Sequence, residues 1–399
     1  MNPYFFQPFF LFLLVPVFIL SPALSAAAED DWDALMDESR EAEQLLDTWS
    51  SDPQPRPAAP PRWQQQFEVL ALAGWTDNLL RSRERVSSAY VGAQADWFVL
   101  GMPDSRSRVT GFALLDYRHY TASVDVNSET LVLAGAEWLL QPNEWAWFVG
   151  ADFYYGDHIF ELFEQDIGVP VDGERFRQYQ VGGHIGLQRD LAGGHTLRLQ
   201  TGAYTNWFGE SFYDFDEWRV RLEHRWQTSE NLRIISYYQF GNENYSELFP
   251  RDSDGFFLLD QSLRIQRHQI AVEPSWTPAG SEFLSLRLSL SHEWFRDVHG
   301  AYSERQQTRI RPSLQWRQSN WEHRLSFEWS AMRYAERPAS LLDPRSLHQD
   351  RLAATYNAAY LISDRQSIGL QYAFTEVDSR RTNDSYRRHQ VETHWRFGF

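Results

Sequence analysis

The chain of 399 residues contains no cysteine and no lysine. The first absence excludes disulfides, thiol chemistry and a lipid anchor on cysteine. The second means that all 37 residues counted as Lys+Arg are arginine, against 54 acidic residues and a formal net charge of −17. Because nucleic acid is itself a polyanion, this acidic balance argues against nucleic acid as a partner.

The chain also has little hydrophobicity overall. Its mean hydropathy of −0.52 excludes a bundle of membrane-spanning helices. Aromatic residues nevertheless make up 16% of the chain, more than a soluble domain needs. A transmembrane β-barrel reconciles the two values, because half of its strand residues face a polar interior and its membrane interfaces favour Trp and Tyr.

The amino-terminal residues predict a secretion signal and an acidic extension. An apolar run from Phe5 to Leu20 leads into small residues between Ser21 and Ala28, a pattern typical of a cleaved signal peptide. We therefore expect residues 1–28 to be removed, residues 29–62 to form a Pro-rich periplasmic extension, and residues 63–399 to form the folded domain. The extension begins with the carboxylates Glu29, Asp30, Asp31, Asp33, Asp37, Glu38, Glu41, Glu43 and Asp47.

Within the last fifteen residues, residues 389–399 alternate strictly in polarity. Arginine on a lipid-facing strand position costs roughly 2–4 kcal/mol at mid-bilayer. A segment with arginine on one face only therefore predicts a strand that separates hydrocarbon from water. The apolar face holds Val391, Trp395, Phe397 and Phe399, with His389 and Thr393, and the polar face holds Gln390, Glu392, His394 and Arg396.

The same alternation predicts about sixteen strands after residue 62, an even number as single-chain bacterial barrels require. Short connections with Pro, Asn, Gly or Ser alternate with longer ones such as Gly156–Arg175 and Ala335–Asp350. We therefore predict an all-β fold, a transmembrane antiparallel up-and-down β-barrel. Short periplasmic turns and longer extracellular loops would place it in the outer membrane of a Gram-negative cell.

The final strand resembles the closing strand of bacterial outer-membrane β-barrels. In that broad class the barrel-assembly machinery recognises an aromatic residue at the carboxyl terminus. The resemblance implies the same partner for this chain, and it assigns the assembly signal to Trp395, Phe397 and Phe399.

Three further segments carry a family resemblance. Gly74–Arg81, Ser87–Tyr90 and Asp116–Tyr120 resemble the β-barrel porin type 2 families, whose barrels open with an aromatic strand that runs into an Asp-Asn loop. The resemblance covers residues 63–399. It implies transport and does not specify a solute.

Arginine recurs on the predicted inner face of consecutive strands. Rings of charge select ions in pores, and guanidinium forks suit carboxylate or phosphate. The alternative interpretation is that these arginines pair with Glu223, Glu328 and other carboxylates to stiffen the wall, as charges on a strand face often do. The candidates for an anion path are Arg198, Arg219, Arg221, Arg225, Arg233, Arg309, Arg311, Arg317 and Arg324.

The predicted loop Gly156–Arg175 interleaves acidic and apolar residues. Folded inward, it would constrict the pore opposite the arginines. As an external lid it would pack on its own apolar residues, which is at least as common for a surface loop. The candidate constriction residues are Asp157, Glu161, Glu164 and Asp166.

The sequence shows no recognisable catalytic or metal-binding constellation. Histidines are scattered over the predicted strands, and His389 and His394 fall on opposite faces of one strand. We therefore expect no enzyme, no cofactor and no metal site.

These patterns together predict a porin-like channel in outer-membrane lipid that passes small polar solutes, anions included, by diffusion. The alternative is a plugged or lidded barrel that serves export, assembly or surface interaction. The extension 29–62 has two interpretations: an arm that docks a periplasmic partner, or a segment that folds back into the lumen.

Overall fold

The computed structural model describes residues 63–81, 83, 85–122, 127–159, 175–209, 213–252, 255–278, 284–300, 302–340, 343–381 and 384–399. The predicted signal and extension lie outside these residues. No helix among them is long and apolar enough to cross a membrane. The strands are β1 (Trp63–Thr76), β2 (Ser88–Asp104), β3 (Ser107–Tyr120), β4 (Ser128–Leu140), β5 (Trp145–Ile159), β6 (Arg175–Leu191), β7 (His195–Phe208), β8 (Phe215–Ser229), β9 (Leu232–Tyr245), β10 (Arg264–Trp276), β11 (Leu284–Asp297), β12 (Arg305–Gln318), β13 (Trp321–Ser340), β14 (Asp343–Ser363), β15 (Gln366–Ser379) and β16 (Tyr386–Gly398).

These strands form one closed antiparallel barrel, which confirms the predicted fold and strand number. Each strand pairs with its neighbours in sequence, and β1 closes the barrel on β16 from Glu68 opposite Gly398 to Thr76 opposite Gln390. The backbone N–H of Phe399 donates to the carbonyl of Phe67 at 2.8 Å. A closed sheet has no unpaired edge, which is what a sheet surrounded by hydrocarbon requires.

The two ends of the barrel differ in their connections. Short connections at residues 105–106, 230–231 and 319–320 lie at the end where β1 begins, which we name the turn end. The opposite end, which we name the loop end, carries longer connections such as residues 77–87 and 246–263. This two-class alternation is the one that the sequence predicts, except at the loop end between β13 and β14, which only two residues connect.

The outward face of the wall is apolar between two levels of tryptophan. Trp63 and Trp75 mark the two levels on β1, separated by about 40 Å of strand at about 3.3 Å per residue. At a tilt of about 40° this becomes about 30 Å along the barrel axis, comparable to the apolar band of roughly 25 Å in outer-membrane barrels. The exposed tryptophans include Trp138, Trp145, Trp276, Trp321 and Trp395 near the turn end, and Trp207 and Trp218 near the loop end.

Aromatic side chains on the inner face pack over glycines of the adjacent strand. A Cβ added at Gly182 would lie 1.9 Å from Cδ1 of Tyr204, and one at Gly186 would lie 2.2 Å from Cζ of Phe148. Each glycine stands directly opposite its aromatic residue in the ladder. A slip of two residues, which keeps the faces, would place Gln180 or His184 opposite Tyr204 and His184 or Gln188 opposite Phe148. These pairs therefore help to fix the register of β5, β6 and β7.

Several strands extend further at the loop end than the sequence predicts. The prediction of a long loop at Ala335–Asp350 is wrong, because β13 continues to Ser340 and β14 begins at Asp343. The pairing shifts register between Arg333 and Pro338. Such a bulge accommodates the proline, whereas the local sequence around a proline resembles a turn.

Apolar side chains line the inside of the loop end. Leu79 belongs to the connection after β1 and packs against the inward side chains of Tyr90 and Tyr120. The loop end is therefore apolar inside, whereas the strands below it present mainly polar side chains inward. The three clusters contain Leu79, Tyr90 and Tyr120; Tyr245, Leu263, Ile265 and Phe295; and Met332, Tyr334, Ala339, Leu347, Val377 and Tyr386.

Candidate functional site

The inner face of β8 carries a ladder of charges. Residues two apart share a strand face. The successive inward positions of β8 therefore hold Glu217, Arg219, Arg221, Glu223 and Arg225. Arg219 donates to both oxygens of Glu217 at 2.5 Å. Glu223 accepts from Arg225 Nε at 2.5 Å and also from Arg221 Nη2. The two carboxylates therefore hold three guanidinium groups in a line along the wall.

A second charged group centres on Glu328 of β13. Its Oε2 accepts from Nε and Nη2 of Arg311 at 2.9 and 2.7 Å, and its Oε1 accepts from Nη1 of Arg351 at 2.6 Å. Nε of Arg309 lies 3.9 Å from the same Oε1. Within this group of four side chains, positive charge exceeds negative charge.

The remaining predicted arginines also lie on the inner face. Arg198 is buried on β7 and donates to Glu137 of β4 at 2.5 Å. Arg233, Arg317 and Arg324 occupy inward positions nearer the turn end of β9, β12 and β13. The structure thus places all of the predicted arginines on one arc of the wall, from β7 to β13. Many of them form ion pairs, as the alternative interpretation expects, and a role in anion passage stays a prediction.

Carboxylates dominate the inner face across the lumen from this arc. His184 of β6 lies between two of them, with Nδ1 3.1 Å from Asp152 Oδ2 and Nε2 3.3 Å from Glu137 Oε2. Opposed walls of unlike charge set up a field across the lumen. The acidic wall includes Glu68, Asp96, Asp116, Glu129, Glu137 and Asp152, from β1 to β5.

Guanidinium groups cover aromatic rings of the basic arc. The carbon Cζ of Arg219 lies 4.3 Å from the ring centre of Tyr204, and that of Arg221 lies 3.9 Å from the ring centre of Tyr237. Such cation–π contacts are worth about 0.5–2 kcal/mol, more when desolvated. The rings therefore help to hold the arginines against the wall, and these ring faces are occupied by protein groups.

The prediction of a constriction loop is wrong for Asp157. This residue lies in β5, buried, with Oδ2 3.5 Å from Nε of Arg177 on β6. The strand continues through Gly156, a residue that sequence patterns associate with a strand end. Glu161, Glu164 and Asp166 lie outside the described residues, and their role in a constriction stays a prediction.

The structure adds a network of hydrogen bonds that the sequence pattern alone does not predict. At the seam between β1 and β16, Gln390 Nε2 donates to the hydroxyl of Tyr90 at 2.7 Å, and that hydroxyl donates to Glu392 Oε2 at 2.9 Å. Arg118 Nη2 lies 3.8 Å from the same oxygen. Tyr90 and Arg118 belong to the segments that carry the family resemblance. The sequence signal for this network was that strand alternation places both side chains on the inner face.

Several histidines face outward and are paired with tyrosine on the next strand. Nδ1 of His389 lies 2.8 Å from the hydroxyl of Tyr372, and Nδ1 of His323 lies 2.9 Å from that of Tyr356. A hydrogen bond of this kind satisfies an imidazole beside lipid. Within the part of the chain that the structure describes, no group of three or more His, Asp or Glu side chains could hold a metal ion.

The predicted assembly signal lies at the turn end of β16. Trp395 faces outward, with its ring centre 4.8 Å from that of Phe397. Phe399 is largely exposed, and its ring centre lies 6.0 Å from that of Phe67 on β1. Recognition of these residues by the assembly machinery stays a prediction.

Comparisons with known proteins give similarity to solved structures only. No protein-family model and no curated protein matches the chain. Among solved structures, it is similar to OccAB4 of Acinetobacter baumannii, with 8% identity and a TM-score of 0.48 over 84% of this chain and 98% of that chain. It is similar to an anion-selective porin from Comamonas acidovorans, with 9% identity and a TM-score of 0.44 over 84% and 99%. A bacterial polysaccharide outer membrane secretin gives 13% identity and a TM-score of 0.40 over 84% and 98%. These are likenesses of fold alone.

Proposed function

We propose that the protein is a porin-like channel of the outer membrane, through which small polar solutes diffuse with a preference for anions. The observation that carries this proposal is the arc of inward arginines on β7–β13, which faces carboxylates on β1–β5 inside a closed wall. Barrels of sixteen to eighteen strands typically enclose an aqueous channel. Guanidinium groups along its wall favour anions.

The ion pairs of the arc favour the passage of an anion over its retention. An anion beside Glu328 meets the guanidinium groups of Arg309, Arg311 and Arg351 together with one carboxylate that competes for them. Conduction requires sites that attract an ion and then release it. The charges of β8 continue this series of partly neutralised sites along the wall.

Conductance and reversal potential in planar bilayers test the proposal. We expect step-like conductance and, in a KCl gradient, a reversal potential of the sign for anion selectivity. The double change Arg219→Gln with Arg221→Gln should shift that potential towards cation selectivity. The control Arg387→Gln removes an outward arginine that pairs with Glu376 and should leave it unchanged. A folded wild-type protein that never conducts, or one that selects cations, would contradict the proposal.

The proposed partners follow from the exterior of the barrel. Outer-membrane lipid would surround the apolar belt between the tryptophan levels, and the assembly machinery would bind Trp395, Phe397 and Phe399. Changing Phe399 to Asp should reduce the amount of folded barrel in the outer membrane, because it removes the aromatic residue and places a charge at the terminus. Unchanged amounts in quantitative blots of membrane fractions would contradict that assignment.

A second candidate function is a lidded barrel for export or surface interaction. It is favoured by the apolar clusters inside the loop end and by the exposed side chains of Phe256 and Leu259 in the connection between β9 and β10. Replacing both with Ser should abolish binding of a surface partner and leave conductance unchanged. If deletion of residues 255–259 instead raises conductance, this connection acts as a lid.

A further inference from the structure

We propose that Arg251, Arg305 and Arg337 form a binding site for an oxyanion, the carboxylate or phosphate group of a solute, at the loop end of the barrel. None of these arginines belongs to the predicted anion path. Binding of an oxyanion does not depend on ion flow, so the inference goes beyond the proposed channel function.

Arg337 is buried inside the loop end. It lies within the register shift of β13 and is 3% exposed. Among the residues that the structure describes, its buried Nε and Nη1 have no hydrogen-bond partner, and its side chain forms no ion pair. Arginine is rarely buried unless it is paired, because removing a charge from water is costly. The burial of Arg337 therefore indicates that a ligand supplies its partner.

A second guanidinium group lies beside Arg337. Arg305 begins β12 directly opposite Tyr334 in the ladder and is buried as well. Cζ of Arg337 lies 5.0 Å from the ring centre of Tyr334, and the charges of Arg305 and Arg337 act on each other. An oxyanion between two guanidinium groups removes their repulsion and accepts hydrogen bonds from both.

Aromatic rings hold the three arginines in place. Cζ of Arg305 lies 3.7 Å from the ring centre of Phe295 on β11. In the connection between β11 and β12, the ring centre of Tyr302 lies 5.7 Å from Cζ of Arg337 and 5.4 Å from Cζ of Arg251. A ring face attracts a guanidinium group without carrying a negative charge of its own. These contacts therefore position the arginines and leave their positive charge for a ligand.

Two nearby carboxylates do not compensate Arg337. Asp297 at the end of β11 accepts the backbone N–H groups of His299 and Gly300, each at 3.1 Å. Glu336 is next to Arg337 in the chain and is exposed. Within the described part of the chain, neither carboxylate forms an ion pair with Arg337, so its charge is available to a ligand.

The chemistry and position of the site select its ligand. Guanidinium forks bind carboxylate and phosphate through paired N–H donors, and a chloride ion offers no matching pair of acceptors. Tyr334 and Phe295 belong to the apolar clusters inside the loop end. A solute that enters from this end can therefore reach the arginines, whereas a lipid headgroup lies on the other side of the wall.

Calorimetric titration of the full chain with inorganic phosphate or acetate, in zwitterionic detergent at constant ionic strength, tests the site. We expect saturable binding of both anions. Arg337→Gln should raise the Kd about tenfold or more, because hydrogen bonds from a charged group are lost. Arg337→Lys, which keeps the charge, should retain part of the affinity. The matched control Arg345→Gln removes an exposed loop-end arginine that pairs with Asp343 and should change the Kd by less than about twofold.

Thermal unfolding separates binding from a structural role of Arg337. Without oxyanions, Arg337→Gln should unfold at a temperature equal to or above that of the wild type, because the change removes a buried charge that no ion pair compensates. Phosphate should raise the unfolding temperature of the wild type and of Arg345→Gln, because a ligand of the folded state stabilises it. It should leave the unfolding temperature of Arg337→Gln unchanged.

A wild-type protein that binds neither anion, or equal binding by Arg337→Gln and Arg345→Gln, would overturn the proposal. So would a lower unfolding temperature of Arg337→Gln without oxyanions, since it would show that the arginine stabilises the fold directly. Phosphatidylglycerol added to the micelles should not compete with phosphate; competition would assign the site to a lipid headgroup and overturn its assignment to a solute. A protein that binds phosphate through Arg337 but never conducts would refute the channel and leave the site in place.

Discussion

The hydroxyl of Tyr90 on β2 donates a hydrogen bond of 2.9 Å to Glu392 on β16, across the first strand of the barrel. Both side chains are buried, at 2% and 0% exposure. The bond bridges the pair β1–β16, which connects the two ends of the folded domain and has nine paired positions, from Glu68 to Thr76. Closure of the barrel therefore depends on inward side chains as well as on the backbone hydrogen bonds between β1 and β16.

Removing the hydroxyl in Tyr90→Phe should weaken this seam. The change leaves Glu392 and Gln390 with one partner fewer in a buried setting, and we expect a loss of about 1–3 kcal/mol in the free energy of unfolding. Urea titration in lipid vesicles, followed by tryptophan fluorescence, measures it. The control Tyr360→Phe, on the outward face, should change stability by less than about 0.5 kcal/mol. Equal effects of the two changes would contradict a specific role for the seam.

Adding one methyl group at Gly182 should destabilise the barrel. The new Cβ would overlap the ring of Tyr204, which Arg219 holds from its other side, and overpacking of this kind costs about 1–3 kcal/mol. Gly183→Ala is the matched control, because it faces outward and its Cβ would meet nothing closer than the carbonyl of Gly150 at 3.3 Å. Thermal unfolding of the two variants should differ clearly, and Tyr204→Ala should rescue Gly182→Ala. This explanation would be contradicted if Gly183→Ala destabilised the barrel and Gly182→Ala did not.

The free-energy cost of a lipid-facing arginine should depend on its depth in the membrane. Leu290 lies near the middle of β11 and Leu284 at its turn end, both on the outward face. We expect Leu290→Arg to cost about 2–4 kcal/mol and Leu284→Arg about 0–1 kcal/mol, because the arginine near the interface reaches water. Folding equilibria into vesicles of fixed thickness measure both values. Similar values for the two sites would mean that the outward face of β11 does not contact hydrocarbon.

Neutralising Glu328 should affect both stability and selectivity. Glu328→Gln leaves the guanidinium groups of Arg309, Arg311 and Arg351 without their shared carboxylate, and breaking a buried ion pair costs about 3–5 kcal/mol. The reversal potential should move further towards anions. In the control Glu376→Gln, the partner Arg387 is exposed, and the loss should be about 0–1 kcal/mol. A stable Glu328→Gln variant with unchanged selectivity would show that this group contributes to neither property.

Much of the fold can be predicted from the sequence, since the polarity of a barrel strand repeats every second residue. The sixteen strands and the face of each arginine follow from that local rule. The extension of β13 to Ser340 and the position of Asp157 in β5 do not. A bulge allows a strand to pass Pro338, and β5 passes Gly156, although both residues resemble turn signals.

Which side chains face lipid and which face the lumen follows from the order of residues in each strand, because alternation is a property of neighbouring residues. Which charges meet depends on the folded barrel. Glu137 and Arg198 stand three strands apart, and Tyr90 and Glu392 stand at opposite ends of the folded domain. Their contacts depend on closure, register and curvature of the whole sheet, which no single strand encodes.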